Sequence, residues 1–430
     1  MKRSILLLAT MMIFVGAYAQ KYEIQNASDF SRNNDLDRAI TAIEKATTNA
    51  ETIEDCKAWY LKGYILLQLD NMYSMVRLGE PGLTESELNK AFAPYNTMLA
   101  NMPLKPESKK SVKQEDGSKH KVATYLYEIK ATFGADGKLL SITEPTGGKY
   151  IEQYGNLLDA AISAFDRSIE IGTEEDYVLQ SKQNLTVAIQ RYFNLAAEQY
   201  QAKNYVKASE YFEKCNTLNL KYFNTTDEEA MKYSNSAIRM YVQEALNAHD
   251  TTAILNGCAL GQQKFPEDVD FVMIETPIWL AKKNNDKVVE TIEKTLSMVK
   301  DNPMVFYNAG VYYMEIGRTD DAIINYNKAI ELKPDYFDAY YNLASIYIDN
   351  GNKILTEANN LPLEETEKYN ELKQQSFDVY SNAVIYLEKA HELNTQDIYV
   401  LRALKDIYTR LQKVEDIKRV NELINELETE

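Results

Sequence analysis

The feature that most constrains this chain is a spacing. A small or aliphatic residue is followed four positions later by a bulkier one, and three positions after that by a small one. The triplet recurs as Ile254-Cys258-Gly261, Val288-Ile292-Thr295 and Ala322-Tyr326-Ala329, then as Ala383-Leu387-Ala390 and Ile417-Asn421-Ile424. Positions 254, 288 and 322 are 34 residues apart, as are 383 and 417. Offsets of four and three place all three members on one face of an α-helix. A repeat of that length accommodates a helical hairpin, and one hairpin cannot bury its apolar face alone. Such a sequence must stack its units against one another, and the fold class it predicts is all-α.

Residues 303–334, PMVFYNAGVYYMEIGRTDDAIINYNKAIELKP, give the unit in full. Phe306, Ala309, Gly310 and Tyr313 share one helical face, Gly317 breaks the helix, Ala322, Tyr326 and Ala329 share a second face, and Pro334 ends it. Small residues sit where two helices cross closely and aromatics fill the space beside them. On that logic Gly310 and Ala322 are the expected close-contact pair. The unit resembles the tetratricopeptide repeat (TPR), whose helix–turn–helix carries the pattern W-x2-L-G-x2-Y…A-x3-F…P.

The resemblance implies a TPR α-solenoid, a superhelical stack whose first helices line a concave groove for peptides or protein surfaces. Carried over by repeat position, the groove-facing residues are Phe193, Ala197, Tyr200, Tyr307, Val311, Met314, Tyr341, Ser345 and Ile348. Asn194, Asn308 and Asn342 occupy one equivalent place, where TPR domains that clamp a carboxy-terminal carboxylate hold a binding Asn. Phe193, Tyr307 and Tyr341 stand where such a clamp needs its first Lys. The expected groove is therefore aromatic and amphipathic, suited to an apolar helix or an extended segment, with the Asn residues bonding locally.

Laid along the earlier chain, the same spacing gives Ala39-Ile43-Ala46, Ala91-Tyr95-Met98, Ala161-Phe165-Ser168 and Ala208-Phe212-Cys215. The expected organisation is a signal peptide over 1–19, TPR-like helices over 20–101, an insertion over 102–149 and a TPR array over 150–430. Trp59 to Gly63 resembles a repeat's first helix, which runs to about Leu78 and stops at Gly79. Its expected partner runs from Glu85 to about Ala100 with a kink at Pro94. In the insertion, 105–119 reads as an exposed, mobile loop. Val122–Phe133 and Lys138–Thr143 read as a small β-hairpin turning at Asp136-Gly137. Tyr150–Ile171 reads as one helix. An elongated helical hairpin is expected over 337–394, because apolar positions at helical spacing continue through the extra stretch 352–378 on both sides of Pro362.

A formal net charge of −17, with no strongly basic stripe in the sequence, argues against a nucleic-acid groove and against adhesion to an anionic membrane. Lys2 and Arg3, the apolar run Ile5–Val15 and Ala17-Tyr18-Ala19 form a signal-peptide pattern with cleavage after Ala19 and no lipobox cysteine. The expected location is the periplasm or outside the cell, with no membrane span. Cys56, Cys215 and Cys258 follow no ligand or disulfide spacing and read as buried filler. His120, His249 and His391 are isolated, and Gly134–Lys138 lacks the Ser or Thr of a phosphate loop. No catalytic, metal or cofactor residues are expected. The run Glu357–Gln375 before a YLEKA helix also resembles exported TPR proteins of the Bacteroidetes type. Together these predict a non-enzymatic periplasmic scaffold that binds a protein or peptide partner. The alternative is an outer-membrane-associated accessory of glycan binding or nutrient uptake.

Overall fold

The computed structural model describes residues 21–93, 105–114 and 117–429. The signal-peptide segment and the expected kink at Pro94 lie outside the described residues. The chain divides into two units, Met1–Ser234 and Asn235–Glu430.

In the first unit, α1 (21–32) and α2 (Leu36–Thr48) form a hairpin around Asn34, which takes a φ of 59°, and Asp35 caps α2 by accepting the Arg38 N–H. Ala39, Ile43 and Ala46 are buried, as the spacing requires. The next helix, α3 (Cys56–Leu78), is capped by Asp55 and ends at Gly79.

Its partner is not the helix that follows. α4 (Glu85–Phe92) is opened by a capping box of Thr84 and Glu87. α3 packs instead against α6 (Leu157–Ile171), where the Phe165 ring covers Gly63 and the Cys56 thiol lies 3.3 Å from the Ser168 carbonyl. The triplet Ala161-Phe165-Ser168 thus closes the repeat that α3 opens, and the chain between them is inserted within it. Ala91 began an equally good local triplet, but helical spacing cannot state which helix the chain returns to.

The insertion holds an antiparallel sheet in the order β1-β2-β3-β4: β1 (Ser108–Lys113), β2 (Lys119–Thr124), β3 (Lys130–Phe133) and β4 (Leu139–Thr143). The hairpin read from the sequence is β3–β4, turning through Gly137 at positive φ. The rest needs correction. The segment expected to be a mobile loop contains β1, and the strand expected over 122–133 is broken after Thr124. There Tyr127 and Glu128 adopt φ near 60° and turn the chain back antiparallel. α4 covers the sheet: Phe92 meets Tyr125 edge-on at 5.4 Å, and the Tyr125 hydroxyl donates to Asn89 Oδ1 at 2.9 Å.

The helix expected over 150–171 is likewise two, α5 (Lys149–Tyr154) and α6, separated by Gly155 at a φ of 68°. A long α7 (Glu175–Gln201) and α8 (Tyr205–Phe223) follow. Asp227 caps α9 (Glu228–Asn247), which contributes its first turns to this unit and the remainder to the next.

In the second unit the 34-residue step becomes a run of hairpins: α10 (Thr251–Lys264), α11 (Asp270–Ala281), α12 (Asn285–Met298), α13 (Pro303–Glu315) and α14 (Thr319–Leu332). Val288, Ile292, Phe306, Tyr313, Tyr326 and Leu343 form one continuous core. α15 (Phe337–Asn359) and α16 (Thr366–Leu393) remain packed beyond Gly351, with Ala358 and Ser376 buried along the extension and Leu363, 95% exposed, at its tip. α17 (Ile398–Arg410) and α18 (Val414–Thr429) close the unit over Leu401, Leu404, Ile407 and Val420.

Candidate partner-binding face

α13 begins at Asn302, whose side chain caps the Met304 N–H ahead of Pro303, a residue pre-set for the first helical turn. Its buried stripe is Phe306, Ala309, Gly310 and Tyr313. Tyr307, Val311 and Met314 flank that stripe, half-buried, at offsets of four and three. α15 repeats the arrangement with Tyr341, Ser345 and Ile348 half-buried beside buried Leu343 and Ala344. In the first unit Phe193, Ala197 and Tyr200 stand on α7 in the same half-buried state. All nine residues singled out from repeat position therefore border their cores, three to a helix. None lies at the centre of a core and none is fully exposed.

The aromatic members are held in place. The Tyr307 ring sits 5.0 Å from Tyr336 and 5.7 Å from Tyr326. Asn342 Nδ2, on the next repeat's first helix, donates to the Tyr307 hydroxyl at 3.2 Å and to the Tyr326 hydroxyl at 3.3 Å. Asn342 is thus a local bracket, and Tyr307 offers a ring edge because its hydroxyl is already engaged. Burial raises the Tyr307 phenol and pushes Tyr326 up to about 12, so both hydroxyls that accept from Asn342 are protonated at neutral pH. Tyr341 stacks on Phe337 at 6.3 Å. In the first unit Phe193 meets Phe212 and Tyr233 edge-on at 5.2 and 5.8 Å, and Tyr200 meets Tyr205 at 5.2 Å. Rings locked against neighbours lose little freedom when covered, which suits them to a docking surface.

Sequence reasoning overlooked a second feature of these repeats. A groove of about 840 Å³ runs between Leu296, Phe306 and Ile323, rimmed by Lys300 and Lys328. Ile324, 65% exposed, lines it as well. Ile324 follows the triplet's first residue by two, a position that the search for buried residues passes over.

The three cysteines are free and buried, and burial pushes the Cys215 and Cys258 thiols up to about 12, far from the thiolate a nucleophile requires. Among the described residues no cluster of three or more His, Cys, Asp or Glu is placed to hold a metal ion.

Residues 310–351 match the family model described as TPR repeat. Over those residues the chain carries a tetratricopeptide repeat. Its fold class is the all-α TPR solenoid, with the small antiparallel sheet inserted. The peroxisomal targeting signal receptor of Candida albicans is 27% identical over 123 residues, which is 29% of this chain and 21% of the receptor. The match therefore spans about a fifth of that relative's length. Among solved structures, a TPR repeats protein from Bacteroides fragilis is 20% identical, with a TM-score of 0.36 over 51% of this chain and 98% of that one. The C-terminal part of a TPR repeat-containing protein from Cytophaga hutchinsonii is 16% identical, with a TM-score of 0.37 over 59% of this chain and 93% of that one. Among the described residues no helix is long and apolar enough to cross a membrane.

Proposed function

We propose that this protein is a non-enzymatic TPR scaffold of the periplasm. In this reading the half-buried rings on its first helices hold an apolar helix or an extended segment of a protein partner. TPR proteins act as protein-interaction scaffolds, and that general role is the starting point. The observation that carries the finer reading is the cluster of tilted Tyr307, Tyr326 and Tyr336 rings, with the Tyr307 and Tyr326 hydroxyls held by Asn342 and with Val311 and Met314 in the same cluster. Rigid aromatic anchors next to flexible methionine are what a peptide-binding surface concentrates. Export is supported by the charged, apolar and small-residue order of 1–19.

Two experiments test the two halves. A photo-crosslinking amino acid placed at Met314 in cells should trap a defined protein partner, while the same group at Glu315, on the exposed side of the helix, should not. Equal trapping at both positions refutes the groove. Sequencing the amino terminus of the isolated protein should begin at Gln20, and an intact terminus at Met1 refutes the export reading.

A further inference from the structure

Among the described residues the inserted sheet has an unpaired edge at β1. Among the described residues β1 pairs with β2 alone, and all six of its residues are exposed. The Gln114 N–H donates to the Ser118 carbonyl at 2.8 Å, continuing the register in which Lys113 faces Lys119. In an antiparallel ladder the backbone groups alternate in direction. Lys110 and Val112 therefore spend their N–H and C=O on β2, whereas Lys109, Ser111 and Lys113 turn theirs outward. A row of outward backbone groups is a template for one more strand.

The same edge is basic in a chain of net charge −17. Strand pairing brings together Lys109, Lys110 and Lys113 on β1, Lys119 and Lys121 on β2 and Lys130 on β3. Glu85 on α4 takes up Lys109 and Lys121, at 2.5 and 2.6 Å. Lys110, Lys113, Lys119 and Lys130 have no carboxylate within ion-pair distance among the described residues. Lys113 and Lys119 stand opposite each other across the ladder, a like-charged pair that an anion between them would relieve.

Charge also selects the occupant. A second copy pairing edge to edge would set two lysine rows against each other, which is how edge lysines prevent self-association. An acidic strand meets the opposite balance. We propose that the free edge of β1 binds an extended acidic peptide segment of a partner protein as a fifth strand. Carboxylates on one side of that strand reach Lys110, and those on the other reach Lys113 and Lys119. This interaction is separate from the groove on the repeats.

The test uses the full chain and two labelled peptides of about eight residues, one repeating Glu-Glu-Val-Val and one repeating Lys-Lys-Val-Val, so that each strand carries its charges on both faces. Fluorescence anisotropy should show the acidic peptide binding at least about ten-fold more tightly, with affinity falling as salt rises from about 0.05 to 0.5 M. Ser111→Pro removes an outward N–H and leaves the β2 ladder intact. It should abolish binding without changing the circular dichroism spectrum or Tm. The double reversal Lys110→Glu with Lys113→Glu should invert the peptide preference, and it tests the proposal even if the proline variant fails to fold. Equal binding of the two peptides, binding that survives Ser111→Pro in the folded protein, or an unchanged preference in the double reversal each overturns the proposal. So does a dimer of the unmodified chain that Ser111→Pro dissolves, since β1 would then be occupied by a second copy.

Discussion

The ring of Tyr326 lies directly on Gly310: a Cβ built on that glycine would stand 2.6 Å from the ring. The same contact joins Gly351 to Tyr380 at 2.5 Å and Gly63 to Phe165 at 2.6 Å. In each case an aromatic from the second helix of a hairpin fills the space left by a glycine in the first. This refines the expectation that Gly310 would meet Ala322, which is itself fully buried nearby.

Gly310→Ala should therefore destabilise the repeats. Alanine favours a helix by about 1 kcal/mol over glycine, but forcing a methyl into a ring contact this close costs about 1–3 kcal/mol through displaced packing. We expect a net loss in urea unfolding, against almost no change for Lys328→Ala, whose side chain pairs only with neighbouring Glu331 at the surface. Equal midpoints for the two variants would contradict the glycine–aromatic packing.

Asn342 separates holding a ring from being a ring. Asn342→Ala frees the hydroxyls of both Tyr307 and Tyr326. It should cost about 1–2 kcal/mol, the net worth of one or two such bonds. Because the Tyr307 ring packs against two others, Tyr307→Ala should cost more, about 2–4 kcal/mol. Tyr341→Ala, which loses one stacking partner, should cost less than Tyr307→Ala. Chemical denaturation of the three variants checks this order.

Acid should loosen the contact between α2 and α5. The hydrogen bond from Lys149 holds the Asp37 carboxyl below its usual range, against the opposing effect of burial, and the Tyr150 hydroxyl donates to the same group at 2.8 Å. A carboxylate with a depressed folded-state pKa contributes stability that is present above the unfolded pKa near 4 and lost as pH falls through the lower folded value. Asp37 and Lys149 are half-exposed, so the effect should be modest and weakened by salt. Asp37→Asn should flatten this acid limb of the Tm profile. An unchanged limb would remove Asp37 as its source.

Proteolysis should distinguish the arm's tip from its shaft. Between α15 and α16 the chain leaves helix only at residues 360–365, where Pro362 and exposed Leu363 stand. The shaft is held by Tyr380 over Gly351 and by the Tyr380 hydroxyl donating to Asn352 Oδ1 at 2.7 Å. Limited digestion followed by mass spectrometry should find cuts within 360–365 and none through 366–378. Cleavage spread across 366–378 would contradict a packed shaft.

Much of this architecture was already readable along the chain. The triplets ending in Ala329 and Ala390 and the breaks at Gly317 and Gly79 all express helix periodicity and backbone preference, which act within a few residues. Tertiary structure alone decided that α3 closes on α6 across an entire inserted sheet, because Ala91 and Ala161 start equally good triplets and only burial of Gly63 beneath Phe165 chooses between them. It also decided that Ser108–Lys113 is a strand. A β-strand with every side chain in solvent has no apolar alternation to reveal it, and its backbone is ordered by pairing with β2. Local pattern determines which element a segment can form, and partners distant in the sequence determine where that element buries its face.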